Sequence, residues 1–126
     1  MLRIEFKDPN LSLAIPNAGG GGGWLYKGKP FTGVLVEYKN GILISESEYI
    51  EAYKHGRQAE YYDKGQLDLE YYEKFNGFYK SYKSYNKNGT LVAYIEYSDD
   101  GVNLEEKHYN DHGELIGHWI KDTKVL

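Results

Sequence analysis

The residues with which this chain would do metal or acid–base chemistry are its histidines and carboxylates. His108 and His112 stand four apart, a spacing that sets two metal ligands on one face of a helix. Between them, Tyr109-Asn110-Asp111 reads as the start of a turn, which does not aim the two rings at one point. His118 joins them only across a hairpin. Solvated or locally bonded histidines are the expected outcome, and no metal is assigned. The carboxylates come in pairs: Glu46/Glu48, Asp68/Glu70, Asp99/Asp100 and Glu105/Glu106. Acid–base hydrolysis needs two carboxyl groups facing one substrate in unlike environments. The same-face pairs fall on strands with no sign of a cleft, and adjacent residues of a strand point to opposite faces. These pairs read as solvated strand faces or as an acidic recognition face. There is no Gly-x-Ser-x-Gly elbow. With no cysteine in the chain, thiolate metal sites, disulfides and cysteine nucleophiles are excluded. The expectation is a non-catalytic protein without a cofactor.

Two further stretches invite a chemical reading. Gly19 to Gly23 form an uninterrupted glycine run. A phosphate-binding loop would need a following Lys-Ser or Lys-Thr and a helix, and neither is present. The run reads instead as a flexible connection, since it costs too much backbone entropy inside a regular element. Tyr79 to Lys87 interleave tyrosines with lysines, a composition able to stack bases and neutralise phosphates or to sit on an anionic membrane. Strand alternation divides these side chains between two faces, and the chain carries a formal charge of −4. Lysine stems lying along tyrosine rings are the simpler reading. Neither nucleic acid nor a membrane is expected as partner.

The elements that position these residues are set by a repeat. Gly41, Gly65, Gly89 and Gly113 recur every 24 residues, each followed two places on by a leucine, Leu43, Leu67, Leu91 and Leu115. A strict period marks a repeat architecture, and stacked small units build surfaces more readily than pockets. Asn40-Gly41, Asn76-Gly77, Asn88-Gly89 and Asp100-Gly101 are favoured hairpin dipeptides. A second series, Gly33, Gly56, Gly77 and Gly101, opens the other strand of each unit. Counted from each periodic glycine, positions +2, +4 and +6 form one face, with leucine in every copy. Positions +3, +5 and +7 form the other and carry most carboxylates. The fold class expected is all-β: an antiparallel meander of stacked hairpins, about eight repeat strands plus an N-terminal strand, in a twisted, elongated sheet. One domain spans residues 1–126, with an N-terminal strand and glycine-rich loop over 1–23 and four hairpin repeats over 24–126.

Composition fits a thin sheet. Fourteen tyrosines supply much of the 40% hydrophobic content, and tyrosine suits half-wet surfaces. No apolar stretch approaches the roughly 20 residues of a membrane span. No signal-like segment follows Met1 to Lys7. A cytoplasmic location is expected.

The run Gly33-x4-Tyr38-x-Asn40-Gly41-x-Leu43-x2-Glu46-x2-Tyr49 resembles a MORN-type repeat in its bacterial variant form. Gly56-x4-Tyr61-Tyr62-x2-Gly65-x-Leu67-x2-Glu70 repeats it. The third unit keeps Gly77-x4-Tyr82 and Asn88-Gly89-x-Leu91, with a longer turn and Tyr94 in the glutamate position. The fourth keeps Gly101, Gly113 and Leu115, with His118 there. The resemblance covers about residues 26–116. It implies stacked hairpins in one sheet and brings no catalytic residues. Bacterial members of this group are similar to antitoxins and immunity proteins, so the implied partner is a cognate protein toxin, possibly a nuclease, with a basic active-site surface. The alternative it implies is a structural scaffold or membrane-associated adaptor. The residues expected to bind a partner are Glu46, Glu48, Asp68, Glu70, Tyr72, Tyr94 and Glu96, which share one expected face across three units. Tyrosines there offer contact area at low entropic cost, and carboxylates would complement a cationic site.

Overall fold

The structure, a computed structural model, describes residues 1–14 and 23–122. Its strands are β1 (Arg3–Glu5), β2 (Leu11–Ala14), β3 (Gly23–Tyr26), β4 (Lys29–Pro30), β5 (Gly33–Lys39), β6 (Ile42–Ile50), β7 (Tyr53–Tyr61), β8 (Leu67–Lys74), β9 (Gly77–Tyr85), β10 (Leu91–Tyr97), β11 (Asn103–Tyr109) and β12 (Leu115–Ile120). The protein is all-β. Nine strands form one sheet in the order β1-β5-β6-β7-β8-β9-β10-β11-β12, open at β1 and β12. The eight strands from β5 onward are the antiparallel meander of hairpins that the glycine period predicts. The N-terminal strand β1 departs from it, pairing parallel with β5 along that edge.

Two kinds of turn join the strands. Asn40-Gly41, Glu51-Ala52 and Phe75-Asn76 are two-residue tips with positive φ at both positions. That geometry follows the right-handed twist of the flanking strands. The sequence points to Asn76-Gly77 as the third tip; the structure moves it back one residue, and Gly77 begins β9. Asn76 tolerates the left-handed conformation. Its N–H donates to the Lys54 carbonyl at 3.0 Å, and its side-chain oxygen accepts from the Lys54 N–H at 2.9 Å. The longer turns share one pattern, in which the first residue's N–H donates to the carbonyl four places on: Tyr62 to Gln66, Asn86 to Thr90, Ser98 to Val102 and Asn110 to Glu114. The Asn86 and Asn110 side chains each also accept two backbone N–H groups of their own turn at 3.0 Å. Asparagine is favoured there because its side chain completes the turn.

Alanine at position 52 is anomalous. Its φ is 71°, a region that costs a Cβ-bearing residue about 1–2 kcal/mol. The tip is held in place from outside: Ala52 N–H donates to the Phe31 carbonyl and Glu51 N–H to the Thr32 hydroxyl, both at 2.9 Å. Ala52→Gly is therefore expected to stabilise the fold by about 0.5–1 kcal/mol, measured as a higher midpoint in urea with an unchanged slope.

A second sheet, in the order β2-β3-β4, takes strands from both sides of the glycine run. Gly23 itself belongs to β3. Ile15 and Gly19 to Gly22 lie outside the described residues. Residues 24–30 thus join this small sheet, and the repeat strands start at Gly33. The core lies between the two sheets: Ile4, Phe31, Leu35 and Tyr49 pack together, flanked by Leu11, Trp24 and Tyr26. Phe31 meets Tyr49 at 5.9 Å and Tyr26 at 6.3 Å between ring centroids. Beyond this end the meander relies on tyrosine rings along the same face, with Tyr71 against Tyr82 at 5.8 Å and Phe78 stacked on Tyr97 at 5.3 Å.

Candidate binding face

Directly opposed residues in a sheet point to the same side, so the register fixes both faces. One row across the sheet runs Ile4, Leu35, Ser47, Gln58, Tyr71, Tyr82, Ile95, Glu106, Trp119; the small sheet covers its N-terminal end. The row behind it runs Glu5, Val36, Glu46, Ala59, Glu70, Lys83, Tyr94, Lys107, His118. This second row marks the face on which Glu46, Glu48, Glu70, Tyr72, Tyr94 and Glu96 lie, as the alternation predicts.

Two arginines organise the N-terminal half of this face. Arg57 Nε donates to Glu70 at 2.6 Å, its Nη1 reaches Glu46 at 3.4 Å, and the Tyr61 hydroxyl donates to Glu46 at 2.5 Å. Arg3 reaches over β5 to the other Glu46 oxygen at 2.8 Å. Ala59, 2% exposed, sits between the two glutamates; its small side chain leaves space for Arg57 and Tyr61 to close over it. Burial alone would raise the Glu46 pKa, but the Tyr61 hydroxyl and Arg3 outweigh it and hold it below the usual carboxylate value. Glu46 and Glu70 are therefore neutralised members of a network, not a bare acidic surface.

Glu48 is also engaged. Its Oε2 accepts the Arg57 backbone N–H at 2.9 Å and lies where a Cβ on Gly56 would fall. Gly56, with φ of 108°, is glycine for that reason: the carboxylate occupies its missing side chain.

Asp68 leaves the group. Each repeat has a bulge at the same place: Tyr38, Tyr61, Tyr85 and Tyr109 oppose Leu43, Leu67, Leu91 and Leu115, leaving Ile44, Asp68, Val92 and Ile116 as the extra residue. A bulge interrupts strict alternation. The Asp68 carboxylate accordingly faces Tyr62 and Tyr82, raising both phenol pKa values after burial has raised them first. Tyr82 belongs to the opposite row. Period-two counting from the glycine holds from the fourth position onward and fails at the second and third: Leu43, Leu67, Leu91 and Leu115, expected with positions +4 and +6, oppose Tyr38, Tyr61, Tyr85 and Tyr109 and so fall on the Arg57 face.

The C-terminal half of the face is more open. Tyr79, Lys80, Lys83, Tyr94 and Glu96 line a shallow groove of about 500 Å³. The Lys80 ammonium stands 4.4 Å from the Tyr72 ring centroid, a cation–π contact. Sequence reading missed Arg3, Arg57, Tyr61, Lys80 and Lys83 as members of this face. The signal available was that Arg3 and Arg57 are the chain's two arginines; their convergence on Glu46 needs the register to be seen.

The histidines stay apart. His108 opposes Gly117 on the far face, His112 lies in the following turn, and His118 contacts Glu105 at 2.7 Å on the Arg57 side. The spacing of four spans a strand end and a turn.

Glu73, on the far face, is buried with Lys54 Nζ at 3.8 Å. Burial raises its pKa, and Lys54 only partly opposes this. A carboxyl raised in the folded state opposes folding at neutral pH, and the cost disappears as pH falls through its folded value. Glu73→Gln is thus expected to raise Tm at neutral pH and to match the wild type near about pH 4, read from melts at both.

Against this geometry, the chain matches no described protein family and no curated protein. It is similar to a chain of a solved GtfA/B complex bound to UDP and GlcNAc, at 13% identity and a TM-score of 0.34. The overlap covers 89% of this chain and 24% of that one. A likeness of that degree carries no functional weight. Among the described residues no helix is long and apolar enough to cross a membrane.

Proposed function

We propose that this chain is a non-catalytic binding protein of the immunity or antitoxin type, acting in the cytoplasm by covering the active site of a cognate toxin. The observation that carries the reading is the assembly of Tyr72, Tyr94 and Glu96 with Lys80 and Lys83 on one face, beside a charge network that fixes their strands. A pre-organised, tyrosine-rich face loses little entropy on docking. Its mixed charges favour a partner with a basic site edged by acidic groups, as a nuclease would present. Glu46, Glu48 and Glu70 act as the frame of this surface, and the contacts are assigned to its open half.

The test is co-expression with the gene immediately upstream of this one. The expected result is growth arrest by that gene alone, rescue by this protein, and a complex that co-purifies. The absence of both arrest and a complex would overturn the reading. Binding to anionic vesicles in that case would favour a membrane-associated scaffold.

A further inference from the structure

The two faces of the sheet carry their charges differently. Among the described residues, the ion pairs of Arg3, Arg57, Lys107 and His118 all lie on the Arg57 face, and Lys54–Glu73 alone lies on the far face. Glu37 and Glu60 belong to the far-face row Glu37, Ser45, Glu60, Leu69, Ser84. Neither joins an ion pair with the described residues. Glu37, Glu60, Asp63 and Asp68 line a shallow groove of about 370 Å³, in which the one cation among the described residues is Lys39.

Beside this groove the aromatic rings form a chain. Tyr82 lies 5.8 Å from Tyr71, Tyr71 5.5 Å from Phe78, and Phe78 5.3 Å from Tyr97, between centroids. The small sheet packs elsewhere, around Ile4, Phe31, Leu35 and Tyr49, and Phe78 stays 45% exposed. An uncovered aromatic patch of this kind marks a contact surface. Glu60 opposes Leu69, which sets it diagonal to Tyr71 on the same face. Burial first, then Glu73 and Glu60, push the Tyr71 phenol up to about 12. Tyr82 is raised by burial, then by Asp68 and Glu60. Rings and carboxylates thus share one negative field.

That combination selects the partner. Ring faces attract cations. A guanidinium stacks on a ring while its edge pairs with a carboxylate, and it sheds water more readily than an ammonium. Nucleic-acid phosphates and anionic lipid headgroups are repelled by the same carboxylates. We propose that the far face from β7 to β9 docks an arginine-bearing segment of another protein, its guanidinium groups stacked on Tyr71 and Tyr82 and held by Glu60 and Asp68. The two strand spacings from β7 to β9 give about 10 Å, room for two arginine side chains. This surface lies opposite the proposed toxin contact and leaves it uncovered.

Titration of the full chain with the peptide Gly-Arg-Gly-Arg-Gly, followed by the tyrosine ring resonances, tests this. No toxin enters the experiment, so its outcome is separate from the immunity reading. The Tyr71 and Tyr82 rings are expected to shift, and those of Tyr72 and Tyr94 to stay. The lysine counterpart of the peptide is expected to bind roughly threefold more weakly. Glu60→Gln with Asp68→Asn is expected to weaken the arginine peptide about tenfold. Asp100→Asn with Asp111→Asn removes as many charges from exposed turns and is expected to change binding less than about twofold. Unmoved Tyr71 and Tyr82 rings overturn the proposal. So does an equal loss in the two double variants, which would make net charge rather than this surface the cause. A lysine peptide that binds as tightly as the arginine one overturns the assignment to arginine.

Discussion

Phe31→Ala is expected to be the most damaging single truncation, removing about 3–5 kcal/mol. Phe31 is 1% exposed, lies between the two sheets, and touches Tyr26 and Tyr49. It also places the Phe31 and Thr32 groups that hold the Glu51-Ala52 tip. Domains of this size have about 5–15 kcal/mol in total, so one ring supplies a large share. The reason is geometric: an open sheet has little interior, and here the interior is concentrated where the small sheet covers the large one. A fall in Tm of about 10–20 °C follows, with hydrogen exchange accelerating first in β2, β3 and β4. A loss below about 1 kcal/mol would mean that the small sheet is not what stabilises the fold.

The second large effect is expected at Arg57. Arg57→Ala leaves Glu46 and Glu70 on either side of Ala59 with their shared cation removed. The guanidinium is about one-third exposed, so water screens part of the loss, and the cost falls below the about 3–5 kcal/mol of a fully buried pair. About 1–3 kcal/mol is expected. Arg57→Lys should recover little, because a single ammonium does not reproduce the fork that meets two carboxylates and Tyr61. Adding Glu70→Gln to Arg57→Ala should return part of the loss, since one of two facing charges is gone. A double-mutant cycle between Arg57 and Glu70 measures this; a coupling near zero would show that the pair is not energetically joined.

The features legible in the sequence are those that repeat. The interval between Gly41, Gly65, Gly89 and Gly113 sets eight antiparallel strands, and alternation puts Glu46, Glu70 and Tyr94 in one cross-strand row because register conserves the face. What escaped has a local or a long-range cause. Asp68 was displaced by a bulge that one-dimensional counting passes over. Phe75-Asn76 became a tip because asparagine's side chain secures Lys54, outweighing the glycine beside it. Arg57 reads as an ordinary strand residue until β6 and β8 are placed on either side of it. The small sheet is assembled from segments separated by the glycine run, and no periodicity links them.

Binding affinity for the proposed toxin partner, compared between face-specific variants, tests the central claim most directly. Tyr94→Ala and Tyr72→Ala lie on the Arg57 face; Glu106→Ala lies opposite, in the row of Tyr82 and Ile95. The account predicts that at least one of the tyrosine variants costs about 2 kcal/mol, or roughly thirtyfold in Kd, while Glu106→Ala changes little. Unchanged affinity in both tyrosine variants, with loss in Glu106→Ala, would place the contact on the other face and contradict the account.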